Sequence, residues 1–313
     1  MINFKKIGII GCGNVGSTIA YTLMQSGLIN ELVLIDSNTE RAKGEAMDIA
    51  HSSALASSAS VYAGSYNDIK DAGIVIIAAG HNQRPGDTRL SLLDANSEIM
   101  SQITPMLTPS FFNGIILVVT NPVDILTYIV QEQTRQPHHR VIGSGTVLDT
   151  ARLKYEISGL INIDPRNIHA YVIGEHGDSE FAAFGSANVS GMPISYFCPE
   201  YSSLALNHEL NLLAKKVKES AAEIIGMKGA TYYGIGMSVK RIVEAILKDE
   251  RSILPLSVRM TGDYGIKDVC LSIPCVLGKN GISQKLDYPL TNSEEKKLKE
   301  SAKAIKNEML ELF

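Results

Sequence analysis

Short apolar runs and amphipathic stretches alternate through the first half of the chain. Lys6 to Ile10, Leu32 to Asp36, Val61 to Ala63, Ile74 to Ala79 and Ile115 to Thr120 are near-continuous apolar segments, without the alternating polarity of a half-exposed strand. Strands of that kind are covered on both faces. Between them, Val15 to Ser26, Thr39 to Ser53 and Leu92 to Leu107 repeat apolar positions at three- and four-residue spacing, which predicts helices. Such alternation is the mark of βαβ units, so the pattern predicts an α/β fold built on a Rossmann-type doubly wound parallel sheet.

The rhythm changes after Val141 to Gly143. A helix is predicted from Val147 to Ser158, a strand from His169 to Ile173, and helices from about Leu204 to Ile225 and Tyr232 to Lys248. Strands at Ile253 to Arg259 and Asp268 to Ile273 precede a terminal helix, which Thr291 and Glu294 would open with a capping box. The expected division is an N-terminal domain on the parallel sheet over 1–143 and a C-terminal α+β domain over 144–313. No repeat or Gly/Ser linker separates them.

Composition narrows the partners. The chain has 313 residues, 45% of them apolar, and a formal charge of −4, with no block of like charge. A polyanion binder would carry a basic surplus, so no nucleic-acid partner is expected. The longest apolar runs, such as 114–120, are too short to span a bilayer as helices. Cys12, Cys198, Cys270 and Cys275 show no metal-ligand spacing, and Met1 to Gly11 reads as a first strand rather than a signal peptide. Reduced thiols, a cytoplasmic location and no bound metal are the expectations.

Gly11-Cys-Gly-Asn-Val-Gly16 follows the first predicted strand and opens a helix. Its glycines allow a tight turn, close approach of backbone to a pyrophosphate, and helix-on-sheet packing, while the helix N-terminus offers free N–H groups. Asp36 ends the second strand about twenty residues further on, where an acid hydrogen-bonds ribose hydroxyls and repels a 2′-phosphate. Neither Ser37 nor Asn38 supplies a compensating cation, so NAD is expected rather than NADP.

His176 lies in the glycine-flanked turn Gly174-Glu-His-Gly-Asp178 after a strand, a placement suited to a proton donor and acceptor. Asp149 and Arg152 lie three apart, on one face of a helix. Two readings compete there: an intrahelical ion pair, or a division of labour in which Asp149 orients a histidine and Arg152 grips a carboxylate. A third cluster is the polar loop Gly80-His-Asn-Gln-Arg-Pro-Gly-Asp-Thr-Arg-Leu90, at the carboxyl end of a predicted strand. Loops in that position face the ligand crevice.

Gly11 to Gly16, Asn121-Pro-Val-Asp124, Leu148-Asp-Thr-Ala-Arg152, Gly174 to Asp178 and Lys228-Gly-Ala-Thr-Tyr-Tyr-Gly234 occur in the order seen in bacterial L-lactate dehydrogenases. The chain resembles the lactate and malate dehydrogenase superfamily over essentially its whole length. The resemblance implies hydride transfer between NAD and a small 2-hydroxy or 2-oxo acid. His176 would be the proton donor and acceptor, Asp149 its partner, and Arg152 the carboxylate ligand. Arg89 would polarise the carbonyl, Asn121 contact substrate and nicotinamide, and Thr231 line the pocket. Gly11, Gly13, Asn14, Val15, Gly16, Asp36, Ala79, Gly80 and Asn121 would hold the cofactor. Gln83, two before Pro85, stands where malate dehydrogenases carry Arg, so pyruvate is expected over oxaloacetate.

The same resemblance implies a homotetramer. It also implies a candidate allosteric site for fructose 1,6-bisphosphate at Lys154 and His169, although Lys lacks the planar fork of the Arg usual at that position. A dehydrogenase for bulkier 2-oxo acids, a malate dehydrogenase, a metal-using NAD-dependent glycosidase and a non-catalytic NAD module are the competing readings.

Overall fold

The apolar runs of the first half form six parallel strands. The computed structural model describes residues 2–56, 58–81 and 89–312, with the side chains of 89–91 and 312 outside that description. In chain order the first half runs β1 (Asn3–Ile10), α1 (Asn14–Gln25), β2 (Glu31–Ile35), α2 (Thr39–Ser53), β3 (Ser60–Ala63), β4 (Ala72–Ile77), α3 (Arg89–Ile103), β5 (Ile115–Val118), α4 (Val123–Thr134) and β6 (Val141–Gly143). The strands lie in the order β3-β2-β1-β4-β5-β6, every neighbouring pair parallel, which is the doubly wound arrangement. Ile7 stands level with Leu32 on one side and Ile74 on the other, and all three are fully buried. Covering on both faces explains why these strands read as unbroken apolar runs.

The second half continues with α5 (Val147–Ile161), β7 (Ile168–Ile173), β8 (Phe181–Val189), β9 (Met192–Pro193), α6 (Ser203–Lys228), α7 (Tyr233–Leu247), β10 (Ser252–Thr261), β11 (Lys267–Gly278), β12 (Gly281–Lys285) and α8 (Asn292–Leu312). The expected capping box opens α8, Glu294 N–H donating to Thr291 Oγ1 and Thr291 N–H to Glu294 Oε2. Strands β10 to β12 do not make a sheet of their own. They extend the first one, antiparallel, beyond β6, with Ser257 level with Gly143. One core therefore runs from Ile7 through Val147 and Val243 to Leu271 and Ile305. A smaller core lies between α5, the β7-β8-β9 sheet and α6, around Leu153, Val172 and Val217.

Among the elements that escaped the pattern, helix α4 and strand β8 have clear physical reasons. Helix α4 buries nine of its twelve residues, polar Asp124, Thr127, Gln131 and Thr134 among them, so it has no wet face to create a 3.6-residue rhythm. Strand β8, Phe-Ala-Ala-Phe-Gly-Ser-Ala-Asn-Val, is poor in β-branched residues and is held by pairing with β7 rather than by its own propensity.

Candidate active site

The ends of β1, β4 and β5 meet where the strand order reverses, and a cavity of about 230 Å³ opens there, lined by Val15, Gly80, His81, Asn96, Thr120 and Asn121 among others. Gly11 has φ +98°, and a Cβ on it would lie 2.3 Å from the Ala79 nitrogen. A Cβ on Gly16 would lie 1.8 Å from the Gly11 carbonyl oxygen. Both glycines are thus required by the protein's own packing. Gly13 differs, because a Cβ there would meet nothing within 4 Å. It caps α1 without a side-chain hydrogen bond, and no acid occupies the first turn of that helix. The N–H groups at this end are left to an outside anion.

Asp36 follows β2 directly. Its Oδ2 accepts the Cys12 N–H at 2.7 Å and its Oδ1 the Asn38 N–H at 2.8 Å, which fixes the carboxylate beside the glycine turn. Burial pushes the Cys12 thiol up to about 12, so it stays a protonated packing group. The open face of Gly13, the free end of α1 and the Asp36 carboxylate together fit a dinucleotide. Asn96, on α3, braces the rim: it accepts the His81 N–H at 2.6 Å and donates to the Asn121 carbonyl at 2.7 Å. Thr120 Oγ1 donates to the Ala79 carbonyl at 2.7 Å. A lone Asn in a helix gives no sequence signal of such a role.

The structure brings His176 and Asp149 together, which no local feature of the sequence could show. Gly174, at φ +96°, exchanges two backbone hydrogen bonds with Ser272 of β11 and turns the chain out of β7. His176 Nδ1 then lies 2.7 Å from Asp149 Oδ2. Arg152 Nη1 donates to the other carboxylate oxygen at 2.9 Å. The two readings of Asp149 and Arg152 are therefore both present: the intrahelical pair exists, and the same carboxylate binds the histidine. Burial alone would raise the Asp149 carboxyl, but His176 and Arg152 outweigh it and hold the group below the usual carboxylate range. Burial lowers the affinity of His176 for its proton, yet Asp149, Glu180 and Asp124 overcome this and lift it to about 9.

Two acids that sequence reasoning left without roles complete the surround. Asp124 accepts the His176 N–H at 2.7 Å and the Ser257 hydroxyl at 2.5 Å, tying the turn to α4 and β10. Glu180 Oε2 lies 3.8 Å from His176 Nδ1. Asp149, His176 and Glu180 have ligand atoms within 4.8 Å of one another, but the Asp149 oxygens face a guanidinium and an imidazole, a donor set that suits an ion pair better than a cation.

Of the remaining expected site residues, Thr231 is half-buried just before α7. Gly234 in the first turn of α7 packs against Leu148, next to Asp149. Lys154 is half-buried on α5 and His169 exposed on β7; the Lys154 ammonium is shifted down by burial. Arg89 opens α3, its side chain outside the description, and Gln83 lies outside the described residues altogether.

A glycine turn fitted to a dinucleotide and an imidazole–carboxylate pair on one sheet framework define a nucleotide-dependent oxidoreductase, and comparison with known proteins agrees. Residues 5–143 match the lactate/malate dehydrogenase NAD binding domain, and residues 146–313 match the lactate/malate dehydrogenase alpha/beta C-terminal domain. The chain belongs to the lactate/malate dehydrogenase family. It is 47% identical to the L-lactate dehydrogenase of Acetivibrio thermocellus, over 96% of this chain and 95% of that one. It is 46% identical to L-lactate dehydrogenase 1 of Clostridium acetobutylicum, over 98% of each. The minor L-lactate dehydrogenase of Enterococcus mundtii, solved in a ligands-bound form, superposes with a TM-score of 0.94 at 42% identity and 99% coverage of both chains. The family resemblance and the α/β fold expected from the sequence are borne out.

Proposed function

We propose that the protein is an NAD-dependent L-lactate dehydrogenase that interconverts L-lactate and pyruvate. The observation that carries this reading is the Asp149–His176 pair with Arg152 on the same carboxylate, in a chain whose glycine turn is open at Gly13. Gly11, Gly13, Asn14, Val15, Gly16, Asp36, Ala79, Gly80 and Asn121 would hold the cofactor. Bound there, the nicotinamide supplies or accepts the hydride at C2 of the acid. His176 gives its proton to the carbonyl oxygen during reduction and recovers it from the hydroxyl during oxidation. Asp149 fixes the tautomer by taking Nδ1–H, leaving Nε2 for the substrate, and stabilises the imidazolium. The guanidinium N–H groups of Arg152 not used by Asp149 bind the substrate carboxylate. Arg89 is assigned to the developing alkoxide, and Asn121 and Thr231 to the pocket wall.

Gln83 is assigned the choice of pyruvate over oxaloacetate, because a second carboxylate enclosed without a counter-charge is heavily penalised by desolvation. An NADH absorbance assay across pyruvate, oxaloacetate and branched 2-oxo acids tests the reading, with pyruvate expected to give the highest kcat/KM. In Gln83→Arg the oxaloacetate to pyruvate ratio is expected to rise at least about tenfold, about 1.4 kcal/mol of discrimination. An unchanged ratio removes Gln83 from that role. The same reading carries a cytoplasmic homotetramer, with Lys154 and His169 as the site for fructose 1,6-bisphosphate. Light scattering, and pyruvate saturation curves with and without the sugar bisphosphate, address both. No described helix is long and apolar enough to cross a membrane.

A further inference from the structure

Behind the Asp149–His176 pair lies a second cavity, of about 190 Å³, between β8, α6 and α8. Its walls are apolar at Val172, Phe181 and Phe184, and its charged groups are Lys215, Lys218, Lys297 and one acid, Glu180. The Glu180 side chain is only 6% exposed, which is unusual for a carboxylate. It stands at the partition between this cavity and the histidine, Oε2 at 3.8 Å from His176 Nδ1. That nitrogen already has its hydrogen-bond partner in Asp149, so Glu180 acts on it through its charge.

We propose that Glu180 is a positioning residue for the proton-transfer step: its buried carboxylate acts beside Asp149 to keep the His176 imidazole protonated. The inference rests on the dehydrogenase reading, because only there does the His176 proton enter the chemistry. The groups facing Glu180 and His176 are Asp149 and Arg152 from α5, Asp124 from α4, Lys218 from α6, and Lys215 and Lys297 at the cavity wall. Lys218 is tied by a hydrogen bond to the Asp178 carbonyl, so its charge is held near the turn. Burial, then the neighbouring Asp149, push the Glu180 carboxyl up to about 8, with His176, Arg152 and Lys218 opposing. The two ionisations favour each other: a charged Glu180 holds the His176 proton, and a protonated His176 eases the ionisation of Glu180.

The sign of the effect follows. Reduction of a 2-oxo acid uses protonated His176, so kcat/KM falls as pH rises through the His176 pKa; removing the Glu180 charge lowers that pKa and moves the fall to lower pH. In Glu180→Gln, the alkaline limb for pyruvate reduction is expected about one unit lower than in the unaltered enzyme, while Glu180→Asp keeps most of the original position. The pH titration of 13C-labelled His176, followed by NMR, is expected to move by the same amount. A limb and a ring titration that stay in place in the Gln variant overturn the inference, and reduced activity or melting temperature alone would mark Glu180 as a wall residue. The ring titration needs no turnover. If the unaltered protein reduces no 2-oxo acid, the dehydrogenase reading fails, while the NMR shift still decides what Glu180 does to His176. Should Glu180→Gln not fold, Lys218→Met supplies the readout: losing that cation makes Glu180 harder to ionise, and the limb is again expected to move down. An unmoved limb in Lys218→Met then overturns the inference.

Discussion

The glycine turn at the end of β1 and the histidine turn at the end of β7 do their work in opposite ways. The first is assembled mostly from neighbours in sequence: Gly11, Gly13 and Gly16 lie within one strand–turn–helix, while Ile35, Asp36 and Ala79 come from further off. The second is assembled from distance. His176 depends on Asp149 of α5, Asp124 of α4, Ser257 of β10 and Ser272 of β11, and none of these is its neighbour in the chain. A dinucleotide is gripped largely through backbone N–H groups, which a short motif supplies by its φ/ψ values alone. A proton donor needs side-chain charges at fixed distances, and those converge only when separate elements pack.

Substitutions test whether the two turns work independently. The largest effect is expected from His176→Asn, which keeps a polar side chain but removes the titrating proton: kcat should fall on the order of 10²- to 10⁴-fold, with NADH affinity by fluorescence titration little changed. Equal losses in both would mean the two turns are not separable. Gly13→Ala is expected to leave the melting temperature near its original value, since the added methyl meets no protein atom within 4 Å. It should still weaken NAD binding by about tenfold, or about 1.4 kcal/mol, because that space belongs to the cofactor. Unaltered affinity would mean the open face of Gly13 is not the binding surface. The smallest change is expected from Ser257→Ala, which removes the hydroxyl that donates to Asp124. Urea denaturation should register a loss of about 1 kcal/mol, and kcat should drop while NADH affinity holds, because the missing bond supports only the distant assembly.

Most of the parallel half was legible because strands covered on both faces read as apolar runs and the helices between them have one wet side. Helix α4 was not, since burial on nearly every side erased its period, and β8 was not, since its small residues take their conformation from β7. The break in rhythm at Gly143 reflects a switch from parallel to antiparallel pairing, across which the main sheet and core continue without interruption. In the site, the motifs brought out His176, Asp149 and Arg152. Glu180 and the Asp124–Ser257 link went unnoticed, because an acid four residues after a histidine, or a serine in an apolar strand, is ordinary in sequence and becomes chemistry only through its neighbours in space.

The α/β architecture, the glycine turn with its acid, and the order of family motifs are written into the chain locally, because they rest on periodicity, φ/ψ demands and residue identity. Folding in three dimensions is what makes one carboxylate, Asp149, serve both the arginine and the histidine, and sets two more buried acids around the imidazole. The physical reason is range: backbone conformation is set over a few residues, whereas the field at His176 is a sum over charges that the chain brings together only when it closes on itself.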